Sequence, residues 1–216
     1  MGKVLGVLGG MGPAATVAFL ERLQALTPAA GDADHIRVIA DINPHVPNRN
    51  TEPEAAGREL ARMAAALRDA GAEVLAMPCN TAHAHAGVIE EASGLPLIHM
   101  IEATARAVRD SGGKRPGVLA TGGGRALYAE WLDPVLLEAE QQAAFMALIG
   151  RIKAGDTEAQ ARAEMAGLAK ALEAAGADAL IAGCTEVPLV LGSDDVAAPL
   201  IDSMAVLAGA CVTACR

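Results

Sequence analysis

Two cysteines lie in loops that the chain writes twice. Met77-Pro78-Cys79-Asn80-Thr81-Ala82-His83 follows Ala70-Gly71-Ala72-Glu73-Val74-Leu75-Ala76. The pattern returns as Ala175-Gly176-Ala177-Asp178-Ala179-Leu180-Ile181-Ala182-Gly183-Cys184-Thr185-Glu186. Each copy is an Ala-Gly-Ala-acid turn, a short apolar run, a thiol, and a hydroxyl residue within two positions. A thiol where a strand ends and a helix opens feels the positive end of the helix dipole and nearby free N–H groups. Both lower its pKa and favour thiolate. One thiolate can then act as a general base and one thiol as a general acid. If they face each other across a carbon atom, the pair can remove a proton from one side and return one on the other, a racemisation or epimerisation that needs no cofactor. A buried cysteine is ordinarily just a small hydrophobe, but two in duplicated loops beside Asn80, Thr81 and Thr185 favour the chemical reading. Cys211 and Cys215 are four apart among Ala and Val, share one helix face, and read as core packing.

Other side chains would have to hold the reacting molecule. Arg49 offers a bidentate fork and Lys153 a point charge, so both are candidates for carboxylate recognition. Asn80, Thr81, Thr121 and Thr185 offer short polar groups for an amino group and a carboxylate, though singly each is an ordinary loop residue or cap. Glu186 can orient a base or cap a helix, and the cap is the simpler reading. His83 can support the Cys79 thiolate or serve as a structural residue at a helix start. His85 falls in the same first turns, and His35, His45 and His99 carry no independent signal. Gly9-Gly10-Met11-Gly12-Pro13 can hold a carboxylate with backbone N–H groups at a helix start. Its spacing is a poor match to a dinucleotide loop, although Asp41 at the end of the second strand keeps a nucleotide site as a minor alternative. No CxxC pair or His-rich cluster with zinc-ligand spacing is present, so no metal is expected.

The elements that must position these residues alternate. Strands are expected over residues 4–8, 36–40, 73–76, 95–99, 116–121, 179–182 and 198–202, with a possible short strand at 135–137. Helices are expected over residues 14–26, 53–70, 81–92, 125–132, 138–153, 157–175 and 203–215, and from the fourth strand through residue 108. Gly122-Gly123-Gly124 reads as a glycine-rich loop between Thr121 and a short helix. Alternating strands and helices imply parallel sheets. The similar offsets of Gly6 to Gly117, Cys79 to Cys184 and Pro96 to Pro199 imply an internal duplication. The expected fold is therefore α/β: two similar subdomains with mainly parallel sheets, related by a pseudo-two-fold axis, with the active site in the cleft between them. Residues 1–99 plus 203–216 would form the first subdomain and 100–202 the second. Ligands in such sheets sit beyond the carboxyl ends of the strands, where all the loops named above fall.

Bulk properties narrow the partners. The 216 residues are 52% hydrophobic with mean hydropathy +0.31, enough for a sizeable core, and no apolar run approaches the ~18 residues of a membrane span. The N-terminus lacks the pattern of a signal peptide. A net charge of -9 argues against a nucleic-acid partner, and aromatics at 2% leave few stacking platforms. Four cysteines without secretory context point to reduced thiols in a cytoplasm. The ligand expected is a small polar molecule.

Taken together, the elements Gly9-Gly10-Met11-Gly12-Pro13, Asn43-Pro44-His45-Val46-Pro47-Asn48-Arg49, Pro78-Cys79-Asn80-Thr81-Ala82-His83, Ile152-Lys153-Ala154-Gly155 and Gly183-Cys184-Thr185-Glu186 resemble the aspartate racemase family, within the cofactor-independent aspartate/glutamate racemases. They run in the family's order over nearly the whole chain. The resemblance implies two α/β subdomains, a homodimer, and acid/base catalysis by Cys79 and Cys184 without pyridoxal phosphate or metal. It implies that Arg49 and Lys153 hold the side-chain carboxylate of a small acidic amino acid. Asn80, Thr81, Thr121 and Thr185 would hold its amino-acid end, with Met11 and Glu186 also lining the substrate. Aspartate is expected ahead of glutamate. The alternatives are a relative acting on glutamate, a hydantoin or maleate, and a non-catalytic small-molecule binding protein. One stretch departs from the family: Thr121-Gly122-Gly123-Gly124-Arg125-Ala126-Leu127-Tyr128 is short, lacks the usual further hydroxyl residues, and carries a charge at Arg125.

Overall fold

The computed structural model describes residues 2–216. Parallel strands buried on both faces need continuous apolar sequence, and the chain supplies it in two sets. The first sheet contains β1 (Leu5–Gly9), β2 (Val38–Ile42), β3 (Val74–Ala76) and β4 (Leu97–Ile98) in the order β2-β1-β3-β4, all parallel. The second contains β5 (Pro116–Leu119), β6 (Ala179–Ala182) and β7 (Leu200–Asp202) in the order β5-β6-β7, again parallel. An isolated parallel bridge from Gly117 to Val135 continues the second sheet on the far side of β5. Val135 thus stands where β2 stands in the first sheet, and the two sheets share one strand order. The fold is α/β with two parallel sheets, as the alternating pattern predicts.

The helices are α1 (Pro13–Leu26), α2 (Pro53–Asp69), α3 (Ala86–Ser93), α4 (Met100–Asp110), α5 (Gly122–Ala129), α6 (Ala139–Lys153), α7 (Ala159–Ala174) and α8 (Ser203–Cys215). Their buried faces follow helical spacing: α2 buries Ala56, Leu60, Met63, Ala64 and Leu67, and α7 buries Ala161, Met165, Ala169 and Leu172. The chain forms two compact units, one up to Ala103 together with Met204–Arg216, the other Thr104–Ser203. It passes between them within α4 and at the start of α8. In the first unit, Cys211 and Cys215 of α8 pack with Leu5, Phe19 and Val74.

The duplication extends to packing. A methyl group on Gly6 of β1 would lie 2.7 Å from Leu75 Cδ2 and 2.8 Å from Ala72 Cβ. One on Gly117 of β5 would lie 2.9 Å from Leu180 Cδ2 and 3.0 Å from Ala177 Cβ. In both units the same close approach seats the Ala-Gly-Ala turn against the first strand.

Several boundaries differ from the sequence reading for identifiable reasons. The second strand is displaced two residues toward Ile42, because its register against β1 pairs Leu5 with Val38 and Gly9 with Ile42. Asp41 is therefore within the strand. The stretch after Cys79 starts as a 3₁₀ turn, Thr81–His85, before α3 begins. The glycine run after Thr121 is the first turn of α5: Thr121 caps that helix by accepting from the Gly124 N–H at 3.3 Å. A capping hydroxyl and the favourable Arg125-Ala126-Leu127 sequence outweigh the low helix propensity of glycine.

Candidate active site

Each sheet has one topological switch point, where the chain leaves the first strand toward one side and returns on the other. In the first it lies between β1 and β3, because β1 pairs with both β2 and β3. In the second it lies between β5 and β6, because β5 pairs with both β6 and Val135. Crevices at such points, beyond the strand C-termini, are where open parallel sheets take ligands. Cys79 follows β3 and Cys184 follows β6, so each unit delivers one thiol at its own switch point. Cys79 is 6% exposed and Cys184 8%.

In the first unit, Met11 belongs to the buried cluster that contains Leu8, Val46, Met77 and Cys79. The loop ahead of it is tied down by Gly10 N–H donating to Thr16 Oγ1 at 2.9 Å. Asn80 and Thr81 are buried directly after the thiol. Arg49 lies in the loop after β2, where its Nη1 donates to Val46 O at 3.5 Å and Pro47 O at 3.3 Å. That loop is anchored to α2 by Asn43 Nδ2 donating to Glu59 Oε1 at 2.6 Å.

His83 serves structure, with both ring nitrogens taken up by backbone groups. Met100 N–H donates to its Nε2 at 3.0 Å, so the ring proton sits on Nδ1, which donates to Cys79 O at 3.0 Å. The His99 ring meets it edge-on at 4.8 Å. Burial, and then the neighbouring His99, lower its pKa to about 4. The neutral ring thus ties the Cys79 loop to the start of α4. Unfolded His83 would take its proton near pH 6.5. Stability from the neutral ring is fully present above that pH and is lost as pH falls from about 6.5 to 4, by up to about 3 kcal/mol. Urea midpoints measured across that window should fall steeply for the wild type and more shallowly for His83→Gln.

In the second unit, Cys184 Sγ donates to Glu186 Oε2 at 2.8 Å, and Thr185 Oγ1 donates to the same oxygen at 3.3 Å. Glu186 is only 5% exposed, and Lys153 Nζ at the end of α6 stands 3.8 Å from its Oε1. Burial pushes the Cys184 thiol well above its ordinary pKa, and the Glu186 carboxylate adds to the rise. This reverses the expectation of a lowered pKa. The residues after Cys184 form only the short 3₁₀ turn Val187–Leu189, which has little dipole to offer, and the nearest charge is negative. Glu186 is likewise no helix cap: its side chain makes no capping bond and holds the thiol instead.

Beneath Cys184, Gly183 admits the buried Tyr128 ring, whose Cε2 would lie 2.9 Å from any added methyl. Tyr128 hydrogen-bonds Thr104 and Ser203, and Ser203 Oγ donates to Ala182 O at 2.7 Å. Arg125, on α5, donates to Gln142 Oε1 at 2.9 Å, and Gln142 Nε2 donates to Ala120 O at 3.0 Å, bracing the end of β5 beside Thr121. The sequence pattern alone did not reveal these supports. Gly183, immediately before Cys184, was the available signal for Tyr128.

The first unit thus brings Cys79, Asn80, Thr81, Met11 and Arg49 to the carboxyl edge of its sheet. The second brings Cys184, Thr185, Glu186, Lys153 and Thr121 to the edge of its own. A cavity of about 510 Å³, lined by Lys3, Arg37 and Glu73 among others, opens at the opposite, amino-terminal edge of the first sheet, so volume alone does not mark the chemistry. Among the described residues no three His, Cys, Asp or Glu side chains gather as a metal site, and no helix is long and apolar enough to cross a membrane.

Known proteins resemble this chain in sequence and fold. The chain is 28% identical to the broad specificity amino-acid racemase RacX of Bacillus subtilis, over 97% of each chain. It is 36% identical to the glutamate racemase of Stutzerimonas stutzeri over 68% of this chain and 58% of that one. The Picrophilus torridus aspartate racemase structure superposes with a TM-score of 0.85 at 29% identity, covering 98% of this chain and 94% of that one. The profile of the Asp/Glu/Hydantoin racemases matches residues 8–211. The chain therefore belongs to the Asp/Glu/Hydantoin racemase family, a family of isomerases.

Proposed function

We propose that the chain racemises a small acidic amino acid, aspartate ahead of glutamate, without an organic cofactor or metal, using Cys79 and Cys184 as its two acid/base groups. The observation that carries this reading is one buried thiol at the switch point of each of two equivalently ordered sheets. In the forward direction the Cys79 thiolate takes the α-proton, leaving the electron pair on the α-carbon. The Cys184 thiol then delivers its proton to the opposite face, and Cys184 is left as thiolate. The reverse reaction exchanges the roles. Glu186 supports this assignment, since it holds Cys184 protonated before turnover. An amino-acid α-proton is too weakly acidic for a thiolate in water. The carbanion-like transition state needs fixed hydrogen-bond donors and a water-poor site, for which buried Asn80, Thr81 and Thr121 are the candidates, joined by Thr185 when its hydroxyl turns from Glu186 to the substrate.

Arg49 and Lys153 are assigned to the substrate's side-chain carboxylate. The similarity to a broad specificity racemase favours a second reading in which uncharged amino acids also turn over. Homodimer assembly and a cytoplasmic location complete the proposal. The first rests on the family resemblance, and the second is supported by four free cysteines.

The test is α-proton exchange in deuterated buffer without added cofactor, on both enantiomers of aspartate, glutamate and alanine, followed by NMR and chiral chromatography. Inversion coupled to deuterium incorporation, fastest for aspartate, is expected. Equal rates on alanine would move the assignment to broad specificity. No exchange on any amino acid would overturn it.

A further inference from the structure

Two buried side-chain polar atoms lack a hydrogen-bond partner among the described residues, Arg49 Nε and His85 Nε2. They belong to the same unit, and the charge of Arg49 reaches the His85 ring. Buried polar groups are nearly always satisfied, and leaving one unmade is costly. Two such atoms, on side chains within electrostatic reach of each other, can share one acceptor when Nε2 carries the ring proton. Because one is a guanidinium, the acceptor that suits them is an anion.

The surroundings fit that reading. The guanidinium rests on its own loop through two long bonds, 3.3 and 3.5 Å, which a carboxylate would readily replace. His85 ends the 3₁₀ turn that begins two residues after Cys79, and its ring is seated against α2 at Gly57. A methyl group on Gly57 would lie 3.1 Å from His85 Nδ1. Gly57 thus leaves room for the imidazole to approach the helix this closely. The loop of Arg49 is fastened to the same helix through Asn43 and Glu59. The two orphaned groups are therefore carried by segments braced on one helix.

We propose that His85 pairs with Arg49 to recognise the anionic side chain of the substrate, and that His85 is the residue setting preference for acidic over uncharged amino acids. This rests on the racemase reading for the substrate's identity, but the anion site stands or falls by itself. Burial, and then Arg49, favour the neutral ring of His85, which serves as an N–H donor through Nε2.

Two measurements test the pair. Succinate, a dicarboxylate with no amino group, is titrated into the wild-type chain while the His85 ring protons are followed by NMR, with butyrate as the monocarboxylate control. A saturable shift of the His85 ring with succinate, weakened about tenfold or more by Arg49→Gln, is expected. Absence of any His85 shift at saturating succinate, or an equal shift with butyrate, overturns the proposal, whether or not the chain racemises anything. In the kinetic arm, His85→Phe and His85→Asn should lower kcat/KM for aspartate relative to alanine about tenfold, mainly through KM. Asparagine should retain more of the preference than phenylalanine, because it keeps a donor. A parallel loss on both substrates would assign His85 to structure alone.

Discussion

Cys184→Ser is expected to lower inversion of aspartate by at least about a thousandfold in both directions, and Cys79→Ser to do the same. The reason lies in proton affinity rather than in shape. Serine nearly matches cysteine in size, and at Cys184 its hydroxyl would find the Glu186 carboxylate as an acceptor, so the fold should tolerate the change there. A hydroxyl, however, is a far weaker acid than a thiol, so it neither forms the base near neutral pH nor gives up its proton readily to a carbanion. In the proposed scheme both groups act in every cycle, so either substitution should stop inversion, and the double variant should be no worse than the singles. A single variant keeps one base, which can remove and return a proton on the same face. Slow deuterium incorporation with retained configuration, from one enantiomer only, is the expected residue of activity. It would show which enantiomer each thiol serves. Inversion at the wild-type rate by either variant would sink the two-base scheme. Melting by circular dichroism, unchanged from wild type, confirms that the loss is chemical.

Glu186→Gln should produce the second largest effect, a fall of about ten- to a hundredfold in kcat, with a displaced pH profile. The carboxylate accepts the Cys184 proton at 2.8 Å and raises the thiol pKa, second only to burial. When Cys184 is the acid, rate is lost as pH rises through that pKa. Removing the charge lowers the pKa, so the alkaline limb of kcat should move to lower pH. When Cys184 is the base, the same change enlarges the thiolate fraction at neutral pH. The limbs of the two enantiomers should therefore respond differently. Their kcat/KM values must stay equal at every pH, because the enantiomers have equal energy in water. Profiles of kcat measured separately for each enantiomer reveal the shift. A uniform drop without displacement of either limb would reduce Glu186 to a packing residue. Lys153 is 43% exposed and 3.8 Å away, so solvent screens it, and its removal should move the profile less.

Much of this was legible in the linear chain because the fold is duplicated. An apolar run that ends in Gly-Cys-Thr or Pro-Cys-Asn, preceded by Ala-Gly-Ala and an acid, is a strand leaving a tight turn, and its repetition announces two sheets. The close approaches at Gly6 and Gly117 follow from the same repetition. The second strand was harder to place, since it lies at the sheet edge, half-buried and ending in the exposed Ile42. Edge strands are set by pairing register more than by composition. The triple glycine after Thr121 misled for another reason: propensity argues for a loop, and a single capping hydroxyl with favourable following residues decides for a helix.

The sequence by itself determined the α/β class, the two strand-end thiols and the loops that accompany them, because periodicity and covalent spacing are local properties. Only the tertiary structure decided the state of the second, Cys184. A helix-dipole argument takes Cys184 as activated, whereas burial and the Glu186 carboxylate hold it protonated. Likewise His83 proved to be a buried strut, while His85 carries a buried ring nitrogen with no partner among the described residues, though both stand in one short run of sequence. Proton affinity depends on desolvation and on charges that folding brings within a few ångströms, and neither quantity is written in residue order.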